Sequence, residues 1–170
     1  MSTFDPATFL TQRHTQGADT RVPLHNPGDW RGVVGTNTDP ERGDITIRTI
    51  EYDDKDNPGS KLERQIAEIN LYCDDDKAVP PGGLKPTRVR FSAFLDFNAD
   101  GTLNWDKGMN RQLGNLLTAV GIQNKDGSMK VADWGWADLY GKPLMYRVAH
   151  KPRKDTGEPQ ANVTQVAPIV

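Results

Sequence analysis

Thr87-Arg88-Val89-Arg90-Phe91-Ser92-Ala93-Phe94-Leu95-Asp96-Phe97 sorts into two surfaces when it is read as a strand. Successive strand side chains point to opposite faces. Val89, Phe91, Ala93, Leu95 and Phe97 then make one apolar face suited to a core. Arg88, Arg90, Ser92, Phe94 and Asp96 make the other. Guanidinium groups beside a phenyl ring on a sheet face suit phosphates and a stacked base.

Outward from this run, further strands alternate with turn clusters. Lys61–Cys73 reads as a long strand with Ala67, Ile69, Leu71 and Cys73 on one face and Arg64, Ile66, Glu68, Asn70 and Tyr72 on the other. Leu62, Ile66 and Ile69 also match helical spacing, so a helix over part of it is the competing reading. Trp30–Thr36, Asp44–Tyr52, Lys142–Lys151 and Gln160–Ile169 are β-rich, and the loops between them are dense in Gly, Pro, Asn and Asp. Met109, Leu113, Leu116, Leu117 and Val120 predict one packed helix, capped by Asn104 or Asp106 and closed by Gly121. Residues 1–28 read as an amino-terminal arm with a short helical turn started by Asp5 and Pro6, leaving 29–170 as the domain. The expected fold is mainly β: a five-stranded Greek-key barrel of the oligonucleotide-binding (OB) type, with one α-helix between the third and fourth strands. An open sandwich with a helix on one edge has the same element count.

Composition narrows the function. The chain has 170 residues, 35% of them hydrophobic, with 16 Gly and 12 Pro, which favours turns and polar loops over a large core. The net charge of −2 supplies no global attraction to nucleic acid, so any electrostatic footprint must be local. Residues 1–85 carry 10 Lys+Arg against 15 Asp+Glu, and residues 86–170 carry 11 against 8. The single cysteine, Cys73, excludes an internal disulfide and a cysteine-based zinc site, and it reads as a small core residue. No apolar run approaches a membrane span, and the amino terminus lacks the pattern of a secretory signal. A soluble, cytoplasmic protein without a cofactor is expected.

The candidate binding residues come from three places. The first is the outward face of the two central strands, Arg64, Tyr72, Arg88, Arg90 and Phe94, if those strands pair. The alternative there is a set of surface arginines balancing Glu63 and Glu68. The second is the last hairpin, with Arg147 and Lys151 as binding candidates and Arg153 and Lys154 as a solvated tip. The third is Trp134 and Trp136, one expected to plug the barrel end and the other to stack. Asp96-Phe97-Asn98-Ala99-Asp100-Gly101 imitates the first half of a calcium loop, but its twelfth position is Lys107 and a strand precedes it. A strand-to-helix turn is the better reading. No acid, base and nucleophile set is visible, so the chain is expected not to be an enzyme.

Several stretches resemble phage- and prophage-encoded proteins found among replication and recombination genes. They are Phe4-Asp5-Pro6-Ala7-Thr8-Phe9-Leu10, the run Asp100-Gly101-Thr102-Leu103-Asn104-Trp105-Asp106-Lys107-Gly108-Met109-Asn110 with the helix after it, and Leu139-Tyr140-Gly141-Lys142-Pro143. Members are often labelled only as proteins of unknown function, and several are regarded as single-stranded DNA-binding proteins with an OB barrel. The resemblance implies a single-stranded DNA partner and a place in the host cytoplasm, with replication or recombination proteins and a homo-oligomer left open. Its motifs are structural and carry over no binding residue. The apolar end Val166-Ala167-Pro168-Ile169-Val170 departs from the acidic tail of many single-strand binders. A structural or interaction module, such as a virion component or a modulator of a host protein, is the alternative function.

Overall fold

A computed structural model describes residues 4–169. The order is α1 (Pro6–Thr11), β1 (Gly28–Val34), β2 (Ile45–Asp53), β3 (Lys61–Cys73), β4 (Thr87–Phe94), α2 (Arg111–Ala119), β5 (Pro143–Pro152) and β6 (Pro159–Ala167), with a 3-10 turn at Trp136–Leu139. Lys61–Cys73 is a strand, so the helical reading fails; Ile66, Ala67, Glu68, Ile69, Asn70 and Leu71 are consecutively buried, Ala67, Ile69 and Leu71 in the core and Glu68 and Asn70 beneath side chains of the flanking strands. Asp5 caps α1 through Ala7 N at 3.1 Å, with Pro6 opening the helix, and α1 buries none of its residues.

β3 organises the sheet. One of its edges pairs with β4, from Ile66↔Phe94 to Cys73↔Thr87. The other edge is shared by β2, from Ile45↔Ile69 to Asp53↔Lys61, and by β1, at Val33↔Tyr72 and Val34↔Leu71. β1 and β2 thus lie end to end along β3, and residues 36–43 loop out between them. Gly35 N donates to Asn70 O at 3.0 Å and Asn70 N donates to Asp44 O at 2.8 Å, so the ladder continues across the interruption. β1 then pairs with β5, and β5 with β6, all antiparallel.

The core lies on one face of this curved sheet. Val34, Ile45, Ala67, Ile69, Leu71, Val89, Phe91, Ala93, Leu144 and Val148 point inward, and Leu113, Leu116 and Leu117 of α2 are fully buried against them. The expected five-stranded closed barrel does not form: the sheet has six strands and is open. β4 and β6 approach each other without pairing, and α2 packs against both. The helix follows the fourth strand, not the third, because the β-rich stretches Trp30–Thr36 and Asp44–Tyr52 each form a strand of their own, β1 and β2.

Phe97 corrects a second expectation. Val89, Phe91, Ala93 and Leu95 are buried, but Phe97 is 42% exposed and bridges to Leu103 outside the sheet. β4 stops at Phe94 because the chain is then held by Asn110 and the first turn of α2. Phe94 N donates to Gln112 Oε1 at 2.9 Å, and Asp96 N donates to Asn110 Oδ1 at 2.9 Å. Among the described residues no helix is long and apolar enough to cross a membrane.

Candidate nucleic-acid interface

Strand parity and register place β2, β3 and β4 side chains on one outward face. Glu68 lies opposite Thr46 on one side and Ser92 on the other; Asn70 is level with Arg90, and Tyr72 with Arg88. The expected pairing of the two central strands therefore holds, and it brings Arg64, Tyr72, Arg88, Arg90 and Phe94 onto one surface.

Arg64 and Phe94 form a unit. The guanidinium carbon sits 4.4 Å from the ring centroid, and Nη2 reaches Asp96 Oδ1 at 3.3 Å. The planar cation is stacked and anchored but still 41% exposed. Phe94 is half-buried beneath it, so its ring is only partly open to a base.

Glu68 is the floor of the face. Its side chain is 9% exposed; it accepts a hydrogen bond from Arg48 Nε at 2.6 Å and forms an ion pair with Arg90 Nη1 at 2.9 Å, one arginine from each flanking strand. Removing a carboxylate from water is costly unless it is paired and hydrogen-bonded, and the two guanidinium groups meet that condition. Both arginines stay more than half exposed, so each keeps donors facing solvent. The expectation that Glu63 shares in balancing the arginines is not met: Glu63 pairs across to Glu51 on the exposed far end of β3. Arg48 went unnoticed in the sequence because its neighbours read only as a β-rich run; the β2–β3 register is what puts it beside Glu68.

Asp44 is the second buried acid. It accepts from Tyr72 OH at 2.7 Å, Asn70 Nδ2 at 2.9 Å and Asn37 N at 3.0 Å. Burial pushes its carboxyl upward, but the three donated bonds, with Arg88 nearby, outweigh it and hold it below the usual carboxylate range. Burial, followed by the bond to Asp44, moves the Tyr72 hydroxyl the other way, above its ordinary value. The Tyr72 ring is thereby fixed in orientation. A Cβ at Gly35 would come within 2.2 Å of the Asp44 carboxylate, so the glycine makes room for this hub.

A notch of about 410 Å³ opens between the 36–43 loop and the sheet. Arg42, Arg48, Arg88 and Arg90 line it, over Glu68 and Asn70. Among the described residues Arg42 and Arg88 take part in no ion pair.

The remaining predicted residues lie elsewhere. Arg147 is outward on β5, opposite Asp29 of β1, and the two form a bidentate pair at 2.7 and 3.2 Å. Asp29 is four residues along β1 from Val33, the partner of Tyr72, roughly 13 Å at strand spacing. Lys151 is exposed near the β5–β6 hairpin, and Arg153 at its tip is paired with Asp155 at 3.2 Å. Trp134 and Trp136 do not divide into a plug and a free ring. Both are half-buried and meet edge to face at 5.4 Å, and Trp105 meets Trp134 at 6.4 Å. Trp105 is the exposed member, at 51%, and was not singled out in the sequence. Trp105 and Trp134 line a separate groove of about 1310 Å³ along α2 and the end of β6, which shares no lining residue with the arginine notch.

The calcium-like segment spends its oxygens internally. Asp100 Oδ1 accepts from Thr102 N at 3.0 Å and Thr102 Oγ1 at 2.6 Å, and Asp96 Oδ2 accepts from Asn110 N at 2.8 Å. Among the described residues no cluster of three metal-ligating side chains occurs. No known family model matches this chain, and no curated protein is significantly similar to it.

Proposed function

We propose that the protein binds single-stranded DNA, largely without sequence preference, in phage DNA replication or recombination. The observation that carries this reading is the outward face of β2–β3–β4, where Arg48, Arg64, Arg88 and Arg90 are interleaved with Tyr72 and Phe94. Cations spaced along a sheet neutralise successive phosphates, and rings between them stack bases of any identity. Arg147 and Lys151 extend the cationic path across β5. No catalytic step is part of this function, and the compartment is the host cytoplasm. The assignment to phage replication rests on the sequence resemblance alone.

The same reading treats the open sheet as an unclosed, OB-like strand arrangement. β1 and β2 share one edge of β3, so six strands occupy five positions: β4, β3, β1 with β2, β5 and β6. With α2 across the gap between β4 and β6, that order supports a Greek-key path with a helix after its third position.

A second reading, a non-enzymatic interaction module, is favoured by one feature. Beyond Gln65, β2 and β3 continue as a two-stranded ribbon past the end of β4, exposing Tyr52 and Leu62 as well as Ile47 nearer its base. Anisotropy of a labelled single-stranded oligonucleotide, then of the duplex, separates the two. Binding of the single strand in preference to the duplex supports the first. A nuclease-resistant, stoichiometric complex with a protein, and no oligonucleotide binding, supports the second.

A further inference from the structure

The arginine notch contains a carboxylate where a ligand phosphate would be expected. Glu68 is nine-tenths buried at its floor, and each of its two oxygens faces one guanidinium group: Oε1 accepts from Arg48 Nε, and Oε2 is ion-paired with Arg90 Nη1. A carboxylate bridging two guanidinium groups from neighbouring strands offers them the same acceptor geometry as a phosphodiester. Arg42 and Arg88 complete the rim from the loop and from β4, and neither takes part in an ion pair among the described residues. The notch is far larger than the carboxylate at its base, at about 410 Å³, and it opens on the same face as Tyr72 and Phe94.

We infer that this notch is a phosphodiester subsite and that Glu68 is its resident counterion, holding Arg48 and Arg90 in place while cancelling about one of their two charges. This rests on the single-stranded DNA reading and adds two residues, Arg42 and Glu68, with opposite effects. Holding both guanidinium groups in a fixed fork lowers the ordering cost of binding. Cancelling one charge lowers the number of counterions released. A chain of net charge −2 that carried four uncompensated arginines in one notch would also hold inorganic anions there, and Glu68 reduces that competition.

The test is the dependence of oligothymidylate affinity on salt for the intact protein and three variants. For single strands, log K falls with log salt by about 0.7 for each phosphate neutralised. Glu68→Gln keeps the shape and an acceptor oxygen but removes the charge. Its slope is expected to be steeper by about 0.7, so a fourfold rise in salt costs it about 2.6-fold more affinity than the parent. Arg42→Gln, at an exposed and unpaired loop position, is expected to be shallower by about the same amount. Glu63→Gln makes the same change in net charge on the distant ribbon and is expected to leave the slope unchanged.

A parental slope retained by Glu68→Gln, or shared by Glu63→Gln and Glu68→Gln, overturns the inference and leaves the DNA-binding reading standing. If Glu68→Gln does not fold, an unchanged slope in Arg42→Gln overturns the subsite by itself. No binding by the parent protein overturns both.

Discussion

Replacing Asn110 with alanine should cost about 4 kcal/mol of stability, although the residue belongs to no strand and only precedes a helix. Asn110 is 1% exposed and has a left-handed backbone, φ 49° and ψ 35°. Its side chain accepts from Asp96 N at 2.9 Å and donates to Asp96 O and to Asn104 O, each at 2.8 Å. These bonds fasten the end of β4 to the start of α2 and set the loop between them. At about 1 kcal/mol net for each part-buried hydrogen bond, the side chain contributes about 3 kcal/mol. Alanine in the left-handed region adds roughly 1 kcal/mol that asparagine largely avoids. For a chain of this length that sum lowers Tm by about 8–16 °C. Urea unfolding of the parent, Asn110→Ala and Asn110→Gly measures it, with glycine recovering only the backbone part. An alanine variant within 1 kcal/mol of the parent would refute the latch.

Other consequences follow from the same geometry. Leu117→Ala empties a fully buried site between α2 and the sheet and should cost about 2–5 kcal/mol, read as a lower midpoint in urea with an unchanged slope. Gly35→Ala drives a methyl into the Asp44 carboxylate and should free the Tyr72 hydroxyl, moving the Tyr72 titration back toward its ordinary value of 10.0 in a pH-dependent ultraviolet spectrum. His25 is buried, with Nε2 2.8 Å from Tyr146 OH and Nδ1 2.9 Å from Asn26 O, and burial holds its pKa below the ordinary 6.5. Its unfolded form therefore takes up a proton at a higher pH than the folded form. The stability it contributes is complete above about pH 6.5 and is lost as pH falls toward the folded value. The urea midpoint should drop between pH 7.5 and about 5, and His25→Gln should flatten that dependence; a parental profile already flat there would contradict it.

Much of the fold was legible because strand alternation is a local signal. Val89, Phe91, Ala93 and Leu95 declare their face without knowledge of any partner, and so do Ala67, Ile69 and Leu71. Where the sequence misled, the deciding contact was distant. Asn104 and Asp106 look like helix caps, but Asn110 precedes the helix with its side chain turned to Asp96, a partner on the preceding strand. The break between Trp30–Thr36 and Asp44–Tyr52 was legible, but not that both stretches line one edge of β3, which depends on Gly35 and Asp44 both bonding to Asn70. The candidate site divided in the same way. Arg64, Tyr72, Arg88, Arg90 and Phe94 needed only the correct strand pairing to come together. Arg48 and Arg42 needed β2 and its loop in place, and the opposing charge of Glu68 is visible only once two arginines are seen to reach it.

The central claim is that the face of β2, β3 and β4 holds single-stranded DNA. Anisotropy of a labelled oligothymidylate titrated with the parent protein and with Arg88→Gln, over a series of salt concentrations, tests it most directly. Arg88 is exposed and forms no ion pair among the described residues, and a urea midpoint for Arg88→Gln close to the parent's confirms that the comparison is made on folded protein. The account predicts binding that weakens steeply with salt, and a slope about 0.7 shallower in the variant. Binding that ignores salt, an identical slope in the two proteins, or no binding at all would contradict it.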